Sequence, residues 1–267
     1  MRAAYSGAMT AQLRLDHVRA TRYVTPLREG GTLPGIVEAD DLGTYVVKFR
    51  GAGQGLKVLV AEVIVGELAR ALDIPTPRLV TVDVAKDIAK YEADEEVQDL
   101  LNASLGDNLG VDFLPGAFGY DGSRPAAPEL AADIIWLDAF TANVDRTWNN
   151  PNLLVWHGQT FTIDHGAALY FHHSWPRRAP DAGRFASQPF DASGHVLADI
   201  AAPVPEAHAR IAPRVPDLID AVIGAVPEAW LEPADGVPDP AGVRAAYAAH
   251  LRARLAGAAA WLPGDAR

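Results

Sequence analysis

The chain has 267 residues, 49% of them hydrophobic, and a formal charge of −11, enough length for one large domain or two modest lobes, each with a core. The acidic balance excludes nucleic acid or an anionic membrane surface as the main partner, since both demand a basic face. The absence of cysteine excludes disulfides, thiolate metal sites and a Cys nucleophile; with no apolar run near the ~18 residues of a membrane span and no apolar core in the first residues, a cytoplasmic protein is expected.

In chain order, Thr21-Arg22-Tyr23-Val24 reads as a short strand, and Leu27 to Gly35 has the Gly/Pro chemistry of a loop. Residues 44–50, Thr-Tyr-Val-Val-Lys-Phe-Arg, form a strand because aromatic and β-branched residues dominate. Glycines at 51, 53 and 55 follow, then a Val/Leu/Ala/Glu-rich helix over 57–72, stopped by Pro75 and Pro77, and a strand over 78–84. These elements make a small α/β lobe. Beyond about residue 90, Tyr91 to Glu96 reads as a solvated helix face. Residues 115–128 are a Pro/Gly-rich excursion, and Ala131 to Ala142 an apolar helix leading to Asp145. Residues 174–193 read as a long loop, and 194–265 as helical with proline breaks.

The stretch Asn143-Val-Asp-Arg-Thr-Trp-Asn-Asn-Pro-Asn152-Leu-Leu-Val, followed by Phe161-Thr-Ile-Asp-His-Gly166, carries the most chemistry. It sets an Asp, an Asn, an apolar strand and a second strand ending in Asp-x-Gly in the order of a kinase catalytic loop and metal loop. Phosphoryl transfer needs these groups. One carboxylate orients the attacking hydroxyl, while a carboxamide and a second carboxylate hold Mg²⁺ on the nucleotide phosphates. Asp145 takes the first role and Asp164 the last. For the carboxamide, a spacing of five from Asp145 selects Asn150, and attachment to the apolar strand selects Asn152.

Lys48 is one of only four lysines and lies mid-strand. It is either a cleft-facing contact to nucleotide phosphates or an edge-strand lysine placed against aggregation. Its acidic partner is Glu62 or Glu67, between which periodicity does not choose; Glu67 also makes an ordinary surface pair with Arg70. Gly30-Gly31-Thr32 offers backbone N–H groups and a hydroxyl to phosphate, or a hairpin turn. Gly51-Ala52-Gly53-Gln54-Gly55 resembles a dinucleotide fingerprint, but its third glycine would fall at Leu56, and Val58 stands where a Walker A loop needs Ser or Thr. His165, His172 and His173 match no zinc spacing and are expected at the surface or in loops. Asp133 and Asp138 are expected to be structural.

At these residues the chain resembles the HipA-like kinases, a branch of the protein-kinase-like fold related to the phosphatidylinositol kinases. The resemblance spans roughly residues 20–170. It rests on Pro26 to Gly35, Tyr45-Val46-Val47-Lys48-Phe49, Ala61-Glu62 with Pro77, Asp145-Arg146-Thr147 to Asn152, and Ile163-Asp164-His165-Gly166. It implies an α+β fold of two lobes, a small β-rich N-lobe over 1–87 and a mainly helical C-lobe over 88–267. It implies Lys48 on the nucleotide phosphates beside Gly30, Gly31 and Thr32, and Glu62 as the partner of Lys48. Asp145 is then the catalytic base, with Asn150 or Asn152 and Asp164 as metal ligands. ATP and Mg²⁺ are the implied cofactors, and the acceptor is an unidentified hydroxyl on a protein or small molecule. The chain departs from the pattern in a catalytic loop two residues longer than usual if Asn152 is the ligand. At 267 residues it also lacks room for the extra N-terminal subdomain of HipA toxins, so a toxin–antitoxin role is not carried over. Two other classes compete: a nucleotide-binding pseudokinase, and a dinucleotide-binding protein using Gly51 to Gly55.

Overall fold

The structure is a computed structural model that describes residues 13–27, 33–90 and 92–264. It is a mixed α+β molecule with a β-rich N-terminal region and a helical C-terminal region. Five strands, β1 (Asp16–Pro26), β2 (Gly35–Ala39), β3 (Thr44–Lys48), β4 (Leu79–Val84) and β5 (Gly106–Asp112), close into a barrel in the order β1-β2-β3-β5-β4. All neighbours are antiparallel except β1 and β4, whose parallel pairing closes the ring. Side chains alternate across each strand, so Tyr45 and Val47 fill the barrel with Val18, Val37, Val80 and Val82, and Lys48 lies on the opposite face.

β3 sits between β2 and β5, so the edge-strand reading of Lys48 is wrong. The dinucleotide reading of Gly51 to Gly55 also fails in its structural context. Those glycines follow a strand paired antiparallel on both sides, and β5 separates it from β4, the strand that follows α1, in a closed barrel rather than an open parallel sheet. β5 was not expected from the sequence.

α1 (Leu56–Ala71) follows the glycine turn and is buried from Leu59 to Ala69, Glu62 and Glu67 included. Glu67 is therefore not part of a surface pair, although Arg70 remains 3.5 Å from it. α2 (Glu95–Ala103) lays Val97 and Leu101 against the barrel, with Asp94 capping it through the Glu96 N–H at 3.0 Å. β6 (Phe118–Gly119), β7 (Leu153–Trp156) and β8 (Gln159–Thr162) form a second small sheet. Helix α3 (Pro128–Thr141) begins at a proline, which suits a first turn, and is buried from Ala131 onward save Asp133.

No regular helix begins in the last third until Val204; residues 194–203, expected to be helical, are not. α4 (Val204–Ile211), α5 (Ile219–Gly224), α6 (Pro240–Ala256) and α7 (Ala258–Trp261) then complete the main core. α5 and the turn Glu228–Trp230 pack on α1. Two side chains reinforce this contact: Trp230 donates its indole N–H to the Asp107 carbonyl of β5 at 3.3 Å, and Lys57 bonds Glu232 at 2.6 Å. From α6, Arg254 donates to the carbonyls of Ala139 (2.6 Å) and Phe140 (2.9 Å) at the end of α3. Among the described residues no helix is long and apolar enough to cross a membrane.

The histidine expectation is corrected for His165 and His172, while His173 is exposed as expected. His165 and His172 are buried in the core, as is His250 on α6. His172 Nδ1 lies 2.9 Å from the Tyr247 hydroxyl, and the His250 ring stacks 3.6 Å from that of Phe171. Burial disfavours the imidazolium. It lowers the pKa of His165 to about 3 and of His250 to about 4, and that of His172 well below its ordinary value. A depressed folded-state pKa contributes stability that is present above the unfolded value, about 6.5, and lost as pH falls below it. Each histidine should cost about 1 kcal/mol of stability between pH 7 and pH 5.5. In urea unfolding, His250→Phe should lessen the acid loss by that amount; an unchanged pH dependence would mean His250 is charged in the folded state.

Candidate active site

Three elements converge on the ammonium of Lys48. It bonds Glu62 of α1 directly and lies 2.9 Å from Asp164 Oδ1, in the turn after β8. The Lys48 side chain is 15% exposed and that of Glu62 2%, whereas that of Asp164 is 51% exposed. Burial opposes the charge on Lys48, but the carboxylates of Glu62 and Asp164 outweigh it and raise its pKa. Partial burial likewise opposes ionisation of Asp164, and the Lys48 ammonium reverses this, holding its carboxyl below the usual range. Burial lifts the Glu62 carboxyl above the usual range, against the pull of Lys48.

Local backbone geometry makes this convergence possible. Asp164 has φ 55°, a left-handed conformation that Asp tolerates better than most residues. Its neighbour His165 turns its backbone N–H onto Glu62. Gly166 is required by close approach: a Cβ there would lie 2.5 Å from Val58 and 3.1 Å from the Glu62 carboxylate. The Asp-His-Gly turn thus lies directly against α1.

Asp145 stands in the loop after α3, and its carboxylate is exposed. Its backbone N–H is held by the Asn143 side chain at 3.2 Å. Its Oδ2 accepts from the Asn150 amide at 2.8 Å and from the Asn152 amide at 3.4 Å. Asn150 is exposed, while Asn152 is buried with φ 48°. The Asn152 carbonyl accepts from the Ile163 N–H at 3.0 Å, so Asn152 lies beside the residue that precedes Asp164. Gly30, Gly31 and Thr32 lie outside the described residues.

Beneath the loop, the fully buried Asp138 of α3 accepts four hydrogen bonds. They come from Arg146 Nε (2.6 Å) and Nη2 (3.3 Å), Asn143 Nδ2 (3.1 Å) and His195 Nε2 (3.0 Å). Burial would raise its pKa, but the Arg146 guanidinium and the His195 bond hold it far below the usual carboxylate range. Arg146 passes the tie on to the carbonyls of Asn152 and Ile163. Asp138 is structural, as the sequence led us to expect, but it serves the site: through Arg146 it holds the residue after Asp145 and the backbone at Asn152 and at Ile163, the residue before Asp164. An acid inside an apolar helix needs a buried partner, and that signal was available in the sequence. Arg146 stood next to Asp145 in plain view. His195 gave no sequence signal.

A family model described as HipA-like kinase matches residues 21–261, and the chain belongs to that family. This places it among kinase-type phosphotransferases. A comparison with curated proteins found no match.

The oxygen donors at the site suit a hard cation. Among the described residues no group of three or more His, Asp and Glu side chains could hold a metal.

Asp138→Ala would leave Arg146 buried without its counter-charge. Breaking such a pair from one side typically costs about 3–5 kcal/mol. Urea unfolding should show a loss of that order; a loss below about 1 kcal/mol would mean that water reaches Arg146.

Proposed function

We propose that this chain is an ATP-dependent phosphotransferase that moves the γ-phosphoryl of MgATP to a hydroxyl of a protein Ser/Thr or a small molecule. The observation that carries the reading is the ammonium of Lys48 held between Glu62 and Asp164, with Asp145 presented on a separate anchored loop. The proposed architecture is a two-lobed, protein-kinase-like fold: an N-lobe from residues 1–87, joined by β5, and a mainly helical C-lobe from the rest of 88–267.

In this reading Lys48 neutralises nucleotide phosphate oxygens, and Glu62 keeps its ammonium from turning back toward the barrel. Gly30, Gly31 and Thr32 would cover the phosphates. Asp164 is one metal ligand and Asn152 the favoured carboxamide, because its main chain is bonded to Ile163, the residue before Asp164. Asn150 instead orients Asp145 through their 2.8 Å bond. Bound Mg²⁺ would supply charge neutralisation across the transferring phosphates. Asp145 accepts a hydrogen bond from the acceptor hydroxyl, orients its oxygen for in-line attack and takes up its proton. Catalysis in such a site is mainly positioning and charge stabilisation. The complete polar set argues against a pseudokinase.

Calorimetric titration should detect ATP binding that strengthens with Mg²⁺. Asp164→Ala should abolish that strengthening. Asp145→Asn should lower turnover by about 10²-fold or more while leaving MgATP affinity within about threefold, a change of under 1 kcal/mol. Loss of binding and turnover together in Asp145→Asn would remove Asp145 from the role of base, and absence of ATP binding in the wild type would overturn the reading.

A further inference from the structure

His195 is 6% exposed and meets the loop that carries Asp145 from a distant part of the chain. Both of its ring nitrogens are committed. Nδ1 accepts the backbone N–H of Leu197 at 3.1 Å, so the ring proton is on Nε2, which donates to Asp138 Oδ2 at 3.0 Å. The same Asp138 oxygen accepts from Arg146 Nε at 2.6 Å.

The main chain reinforces the side chain. His195 forms an isolated antiparallel bridge with Thr147, and the Val196 N–H donates to the Arg146 carbonyl at 3.1 Å. Residues 195–197 are therefore stitched to the loop at the two residues that directly follow Asp145. On the chain they follow the segment 174–193, which carries no regular helix or strand beyond Ser174.

We propose that His195 is a positioning residue. Its Nε2–H···Asp138 bond ties residues 195–197 to the Asp138–Arg146 pair and so fixes where Asp145 meets the incoming hydroxyl. The inference rests on the phosphotransferase reading of Asp145. It also has a physical part that does not: the bond to Asp138, and not the bond to Leu197, keeps the loop rigid. The Asp138 carboxylate is saturated with four donors, and a missing one frees a lone pair in a water-poor site. Without that donor the loop can shift, and displacements near 1 Å in a reacting geometry can cost about 10²-fold in rate.

Two substitutions separate the two bonds of the ring. In His195→Gln the amide N–H reaches the place of Nε2 and keeps the donor to Asp138 while losing the acceptor for Leu197. In His195→Asn the shorter amide occupies the place of Nδ1, keeping the Leu197 bond and losing Asp138. The expected result is that His195→Asn lowers kcat by about 10- to 100-fold with KM for ATP changed less than about threefold, and His195→Gln stays within about threefold of wild type. Hydrogen exchange of the amides at Arg146 to Asn152, measured without substrate, should quicken in the Asn variant and not in the Gln variant.

Equal losses of kcat and of exchange protection in both variants, or no loss in the Asn variant, would overturn the positioning role. A wild-type protein that turns over no MgATP would instead sink the phosphotransferase reading, and the exchange comparison would still decide whether the bond to Asp138 holds the loop.

Discussion

A carboxylate moved out of water must find a cation or give up its charge. Glu62 is buried on a helix with no solvent face, and the cation it meets is Lys48. That demand organises the centre of the molecule. β3 must lie inside the barrel so that its outward residue meets α1, and α1 must be held against the barrel from behind. Trp230, Lys57 and Glu232 supply part of that hold from the C-terminal region. Asp164 then completes the group from a third direction, with more of its side chain in water. Two carboxylates share one ammonium here, and the outer one is the one free to meet a ligand.

A second buried charge does for the catalytic loop what Lys48 does for the barrel and α1. Asp138 is neutralised by Arg146 and bonded by His195 and Asn143. Asp145, Asn150 and Asp164 are exposed. The groups that hold their backbones in place are not. Rigidity and accessibility are thus divided between two layers of residues, the inner one dry and saturated with hydrogen bonds.

The sequence made much of this visible, and the physics explains where it did not. Lys48, α1, α3 and the Asp-x-Gly strand end were legible because periodicity and β-branched composition mark them. β5 was hidden because its sequence, Gly-Asp-Asn-Leu-Gly-Val-Asp, has the composition of a turn. Its barrel position tolerates little else at Gly110, where a Cβ would lie 2.6 Å from Val82 and 2.7 Å from Val80. Glu67, His165 and His172 were misjudged for a different reason: residue type says where such groups usually sit, and burial here is decided by helices distant in the chain. The link of His195 to Asp138 joins residues 57 apart in sequence, beyond the reach of any local pattern.

The bonds from Arg254 to the end of α3 bear on how the protein is born. A chain emerging N-terminus first completes the barrel, α1, Asp145 and Asp164 well before α6. Until α6 docks, the Ala139 and Phe140 carbonyls lack the guanidinium that ties them down. The helix that leads into the Asp145 loop is then free to fray at that end. A nascent chain on the ribosome would therefore already carry the whole polar set without its finished geometry.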